Sequence, residues 1–291
     1  MFSGYCFDEE VNAITILDNN IIVVGGNFNY IHINYKGNFI TKKVESNILS
    51  LSNDGESRVY VGFKNGNILI FNVEIINTNY LNDIDKIKCK KITKYHSQQD
   101  KVDCLLYVNK FKALYSGCNT NRAIQMWDKD GNYIISLDEN YGSYPQLLSY
   151  SLTYPYLYSA HKTEGITIWN AEEAKYKKYL STEKIVAMES YNENLIACNQ
   201  EGNIKIIGEN NFCIKKNIVT YFKLHSMTIL NNIILVGTQG GIIKYYDMEG
   251  RHEKDEAIHK DKIIVLKNKN GIIFSVSLDN SFKIIYNEDL I

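Results

Sequence analysis

Six histidines, six cysteines and three arginines carry most of the reactive chemistry open to this 291-residue chain, so their spacing is the first test of function. His32, His96, His161, His225, His252 and His259 are scattered, and none pairs locally with a cysteine or carboxylate in a catalytic pattern. Cys6, Cys89, Cys104, Cys118, Cys198 and Cys213 contain no C-x-x-C pair, and no histidine lies at zinc-ligand spacing from them. No metal and no cofactor is therefore expected. Cys104, Cys198 and Cys213 read as small buried thiols on strands. G-x-G-x-x-G, the P-loop and G-x-S-x-G, whose turns present phosphate-binding amides or a nucleophile, do not occur. What remains is binding chemistry. Arg122, one of only three arginines, has a fork suited to carboxylate or phosphate, unless it merely covers a neighbour or faces water. Residues 86–94, KIKCKKITK, alternate lysine with apolar or β-branched side chains. They read as an outer edge strand kept from pairing by its charge, or as a basic strip for RNA, acidic lipid or an acidic partner.

Composition narrows the classes. Lys+Arg is 32 against 33 Asp+Glu, a formal net charge of −1, which argues against a dedicated nucleic-acid binder. Hydrophobic residues at 45% and aromatics at 12% are enough for a large core. Two prolines against 22 tyrosines suit a chain built of strands. The opening MFSGYCFDEE lacks the basic and apolar regions of a signal peptide. No apolar run nears the ~20 residues of a membrane span. The expectation is a protein of a reducing compartment, cytoplasmic or, second, nuclear, with no membrane span.

The elements that hold these side chains show in residues 113–128, ALYSGCNTNRAIQMWD. An apolar run ends on Ser116-Gly117, an Asn-rich turn follows, and Ile124-Gln125-Met126-Trp127 alternates faces before Asp128. That is a β-hairpin. Taking Ile124 as marker, it recurs at Ile31, Ile68, Ile166, Ile204, Ile242 and Phe282, with steps along the chain of 37, 56, 42, 38, 38 and 40 residues. About six residues before each marker stands Gly25, Gly62, Gly117, Ala160, Cys198, Gly237 or, exceptionally, Val276. Apolar residues return two places after it at Ile33, Ile70, Met126, Ile168, Ile206 and Ile284, with Lys244 the break.

A period near ~40 with a Trp-Asp column resembles the WD40-repeat family. The column is Trp127-Asp128 and Trp169-Asn170, then Phe71-Asn72, Ile207-Gly208, Ile285-Tyr286, either Tyr245-Tyr246 or Tyr246-Asp247, and either Ile33-Asn34 or Asn34-Tyr35. The family's His is visible at His96 and His259, and its turn Asp at Asp279, so its His-Asp-Ser-Trp hydrogen-bond set is complete in no repeat. The resemblance implies an all-β, seven-bladed WD40-type β-propeller over residues 1–291 as a single domain. Blades start near 11, 47, 102, 146, 185, 224 and 263. The last is one strand short, and residues 3–7 are expected to supply its outer strand and close the ring. An insertion falls within residues 73–99, with either 87–92 or 73–76 as the second blade's fourth strand. Trp127 and Trp169 should be buried between blades.

The resemblance also implies what the protein does. The nearest match to the Asp-box of propeller enzymes such as sialidases, Ser277-Leu278-Asp279-Asn280-Ser281-Phe282, lacks its Gly and Trp. A non-enzymatic protein–protein interaction scaffold or adaptor is expected, as a monomer or as a subunit of a hetero-complex. The alternatives are an RNA-associated subunit of an RNA-processing or ribosome-assembly complex, or a substrate-recognition subunit of a ubiquitin ligase whose adaptor is separate. Partners should meet the loop face at the channel mouth, where aromatic and cationic side chains are typical of binding hot spots. The residues expected there are Phe28, Phe63, Tyr95, Arg122, Tyr141, Tyr144, His161, Lys162, Tyr221 and Gln239.

Overall fold

The computed structural model describes residues 2–18, 20–35, 38–74, 86–92, 101–118, 123–137, 144–163, 165–180 and 182–286. The described residues form seven antiparallel sheets of four strands and no helix. β1 (Phe2–Cys6) stands apart from its chain neighbours. The first sheet is β2 (Val11–Ile16), β3 (Ile22–Gly26), β4 (Tyr30–Tyr35) and β5 (Asn38–Lys43). The second is β6 (Ile48–Asn53), β7 (Arg58–Phe63), β8 (Ile68–Glu74) and β9 (Lys86–Ile92). The third is β10 (Val102–Val108), β11 (Ala113–Cys118), β12 (Ile124–Asp128) and β13 (Tyr133–Leu137). The fourth is β14 (Pro145–Tyr150), β15 (Tyr156–His161), β16 (Ile166–Asn170) and β17 (Lys175–Leu180). The fifth is β18 (Ile185–Tyr191), β19 (Asn194–Asn199), β20 (Asn203–Gly208) and β21 (Ile214–Val219). The sixth is β22 (Leu224–Leu230), β23 (Ile233–Thr238), β24 (Ile242–Asp247) and β25 (His252–Ala257). β26 (Ile263–Lys269), β27 (Ile272–Ser277) and β28 (Ser281–Tyr286) make the seventh, and β1 is its fourth strand. The N-terminal strand thus closes the last blade, with Phe2 opposite Ile285 and Cys6 opposite Ser281.

The register resolves three positions that the sequence pattern left open or misplaced. Gly237 faces Ile243, not Ile242, so Tyr246-Asp247 is the sixth blade's Trp-Asp position. Lys244 then no longer breaks the apolar face, because the side chains of that face are Ile243 and Tyr245. Ile22 faces Asn34, which makes Asn34-Tyr35 the first blade's pair. In the second blade the fourth strand is Lys86–Ile92, paired along β8.

Burial follows strand position. Second strands such as β11 and β3 are buried at every residue, whereas outer strands such as β17 and β25 are mostly exposed. A strand covered on both faces reads as an unbroken apolar run, and one covered on neither reads as polar. The small-residue column has a direct cause. A Cβ added at Gly25 would lie 2.6 Å from Ile48 Cγ2, and one at Gly62 would lie 2.7 Å from Val102 Cγ1. At Gly117 the neighbour is Pro145 Cγ at 2.9 Å, and at Gly237 it is Ile263 Cβ at 2.8 Å. Ile48, Val102, Pro145 and Ile263 each open the next sheet. The glycines set how closely one sheet stacks on the next. Hydroxyls beside them reinforce the contact, with Ser50 donating to the Val102 carbonyl at 2.9 Å and Ser226 to the Ile263 carbonyl at 2.8 Å.

The strands fall into two compact units, one of β1, β14 from Leu147 onward and β15–β28, the other of β2 from Asn12 onward and β3–β13. Each has its own apolar cores. In the first, Ile196, Leu224, Met227 and Ile234 cluster, as do Leu235, Ile243, Leu266 and Ile273. In the second, Val23, Ile31, Ile48 and Val61 form one cluster and Tyr60, Val102, Leu114 and Trp127 another.

Candidate functional site

The groups with catalytic potential are held in the interior. His259 Nε2 is 2.8 Å from Ser275 Oγ, and its Nδ1 is 2.7 Å from Ser281 Oγ and 3.3 Å from Asp279 Oδ2. This Ser-His-Asp set resembles a charge relay, but Ser275 has 0% exposure, so no substrate can meet its hydroxyl. Burial opposes charge on Asp279, yet hydrogen bonds from Ser281 and the Lys260 amide, with His259 nearby, hold its pKa down at about 2. Burial lowers the pKa of His259, with Asp279 opposing. The network pins the loop into β26 against the turn before β28. Ser275 is the group that sequence reasoning missed, one serine among many on a strand. In the third and fourth sheets the matching serines pair with the tryptophans. Trp127 Nε1 donates to Ser116 Oγ at 2.9 Å and Trp169 Nε1 to Ser159 Oγ at 3.1 Å. Both rings are buried, at 2% and 1% exposure.

The described cysteines are free thiols, with Cys104, Cys118 and Cys198 buried and Cys6 exposed. Cys213 is also exposed, against expectation, because it lies in the turn just before β21 and not on the strand. Among the described residues no group of His, Cys, Asp or Glu could hold a metal ion.

The residues expected on the loop face divide. Tyr95, Arg122 and Tyr141 lie outside the described residues. Phe28, Phe63 and His161 point inward and are buried. Phe63 ends β7 inside an apolar cluster, Phe28 packs edge-on to His32, and His161 Nε2 is 2.7 Å from Thr167 Oγ1. Their sequence positions suit a turn, but each follows its strand's alternation or a local contact into the core. Tyr144 is half-buried, while Lys162, Gln239 and Tyr221 are exposed.

Tyr221 is the exposed aromatic among them. Its loop, residues 220–223, enters β22 and is tied to two turns. The Thr220 amide and hydroxyl donate to the Gly202 carbonyl at 2.9 and 3.0 Å. The Leu224 amide donates to the Gln200 carbonyl at 3.2 Å, and the Gln239 amide to the Lys223 carbonyl at 3.1 Å. On this fixed frame Tyr221 is 88% exposed, with Phe222 and Val219 both 46% exposed beside it. Phe222, which the sequence did not single out, lies under the Lys244 ammonium, 3.9 Å from the ring centroid. Asp255 neutralises Lys244 at 2.7 Å. The same strand position repeats this bracing, since Lys205 binds Glu183 in the loop before β18 and Lys283 binds the Ile258 carbonyl before β26. Three successive sheets thus use a lysine to set the loop that enters them.

A second polar group lies on the first strands. Glu189 Oε2 accepts from Thr228 Oγ1 at 3.1 Å. Loss of water raises the Glu189 pKa to about 7 and lowers that of Lys267, its electrostatic neighbour, to about 8.

No family model and no curated protein matches the chain. Among solved structures it is similar to the WD40 β-propeller domain of Doa1, with 14% identity, 99% of this chain and 96% of that chain covered, and a TM-score of 0.79. At that identity the likeness speaks for the fold, and together with the seven four-stranded sheets it shows that the chain is an all-β, seven-bladed propeller of the WD40 type.

Proposed function

We propose that this propeller is a non-enzymatic interaction module that works in the cytoplasm and docks protein partners on the loop face around Tyr221, as a subunit of a larger complex. The observation that carries the reading is the backbone of Tyr221. It takes the left-handed conformation at φ 58°, where Gly or Asn would be less strained. A large aromatic ring held there, 88% exposed, contributes little to packing and violates the local preference. Such departures mark functional positions, and rigid exposed aromatics are hot-spot residues. Tyr221→Asn separates stability from binding. Affinity purification of the wild-type and variant chains from native cells should show a partner set lost with the variant, while its melting temperature is unchanged or higher. An identical partner set for both chains would remove Tyr221 from the interface.

The RNA-associated reading has one observation in its favour. Lys177 lies 4.9 Å from the Tyr156 ring centroid and Lys178 5.6 Å from that of Phe212, and Tyr154 stacks on Tyr156. Lysines interleaved with aromatic rings suit single-stranded nucleic acid. Fluorescence anisotropy with a single-stranded RNA tests it, and binding that survives Lys177→Glu/Lys178→Glu would refute this location.

A further inference from the structure

Next to Tyr221 are cations that form no ion pair among the described residues. Lys223 and Lys262 lie in the loops that enter β22 and β26, Lys223 exposed and Lys262 partly so. Their carbonyls are engaged, by the Gln239 and Leu278 amides, but among the described residues neither ammonium has an ion-pair partner. His225 lies between them in sequence. It is the residue skipped by the β22–β23 register between Leu224 and Ser226, a bulge that turns its side chain out of the regular alternation. Its Nε2 is 2.7 Å from Gln239 Oε1. Burial, and then the Lys262 and Lys223 charges, lower its pKa, opposed by the Gln239 hydrogen bond. The Ser226 hydroxyl, next in the chain to His225, donates to the carbonyl of Ile263, next to Lys262, at 2.8 Å, so the two loops that carry the lysines meet at this imidazole. The nearby carboxylates do not neutralise them. Asp261 Oδ1 accepts the Lys262 backbone amide at 2.6 Å and forms no ion pair with the ammonium, and Asp255 is bound to Lys244.

Like charges held together cost energy that an anion relieves, and the exposed Tyr221, Phe222 and Val219 beside them call for an apolar side chain. A carboxylate next to an apolar residue, on one short stretch of chain, meets both needs. We propose that Lys223, His225 and Lys262 together with Tyr221 and Phe222 form a docking site for a linear acidic peptide segment of a protein partner, its carboxylate on the cations and its apolar side chain against the rings. The proposal rests on the Tyr221 reading above and adds the chemistry of the partner. A nucleic acid fits less well. The chain's net charge is −1, and two lysines are few for a phosphate backbone, which is bound through many cations at once.

The test is selection of random twelve-residue peptides displayed on phage against the full chain, followed by anisotropy with the best-enriched peptide. The expected peptides carry Asp or Glu within a few residues of Leu, Phe or Tyr. Lys223→Glu/Lys262→Glu should weaken binding about tenfold or more, and so should raising salt from ~50 to ~500 mM. Tyr221→Asn should also weaken it. All of these positions are exposed enough to change without unfolding, which the melting temperature checks. Peptides without acidic enrichment, or charge reversal without effect, would overturn the proposal. If Tyr221→Asn still abolished binding in that case, the Tyr221 interface would stand without it. Loss on charge reversal but not with Tyr221→Asn would overturn both, and no enriched peptide at all would overturn the proposal alone. Displacement of the peptide by an equal concentration of single-stranded RNA would transfer the site to nucleic acid.

Discussion

Gly62→Ala is the substitution that most directly tests why the sheets stack as they do. The new methyl group would overlap the Ser50 hydroxyl and lie 2.7 Å from Val102 Cγ1 and 3.0 Å from Val102 Cβ. Ser50 would have to turn away and give up its 2.9 Å bond to the Val102 carbonyl, which costs about 1 kcal/mol. Val102, at 0% exposure, would have to shift in a packed site, at about 1–3 kcal/mol. Alanine recovers about 0.5–1 kcal/mol over glycine in a strand. The net expectation is a loss of about 1–3 kcal/mol. Gly240→Ala is the control, since a Cβ there meets nothing within 4 Å, and it should stay within ~0.5 kcal/mol of wild type. Urea unfolding followed by circular dichroism gives both values. Adding Val102→Ala to Gly62→Ala removes the Cγ1 contact, so the double variant should lose less than the sum of the single losses. A Gly62→Ala protein with the wild-type midpoint and slope would show that the glycine column does not limit stacking.

Trp169→Ala should cost about 3–5 kcal/mol, because a ring at 1% exposure and its bond to Ser159 are both lost, and a wild-type melting temperature would contradict the register. Glu189→Gln tests the first-strand pair through pH. The folded-state pKa of Glu189, raised by burial to about 7, means the native state holds a proton that the unfolded chain releases near its ordinary 4.5. That contribution is fully present below 4.5 and is lost as pH rises through 7, so wild type should lose stability relative to Glu189→Gln between pH 5 and 8. Lys267, lowered to about 8, acts in the opposite direction above that value, and a pH-independent difference between the two chains would refute the burial argument. Deleting residues 1–8 would uncover the β28 edge and remove Tyr5 from its stacking on Phe282, 6.1 Å between centroids. Aggregation or a lower melting temperature is expected, and a monomeric chain of unchanged stability by light scattering and calorimetry would contradict the closure.

Repetition made the fold legible. Gly25, Gly62, Gly117 and Gly237 recur because the same close approach recurs, so sheet stacking leaves a mark in sequence. Register within one repeat is less visible, because two adjacent apolar residues both satisfy the pattern. Ile242 and Ile243 differ only in which of them faces Gly237. The candidate site was partly legible. Tyr221 and Gln239 lie where the loops were expected, while Phe63 and His161, equally plausible as letters, are enclosed by neighbours that only the folded chain brings near. Lys223, Lys262 and the bulged His225 left no sequence signal, since a bulge is a property of pairing and an unpaired ammonium is a property of its surroundings.

The pairing of β1 with β28 also sets a schedule for synthesis. Of the described strands, the one made first borders the one made last, with residues 7–280 between them. At about 5–20 residues per second, β1 waits roughly 15–60 s on the ribosome before its partner exists. Each of the first six sheets can be completed from strands adjacent in the chain as it emerges. The seventh depends on β1, made long before β28, so anything that occupies that strand in the meantime, whether a chaperone or a wrong partner, controls whether the last blade is ever completed.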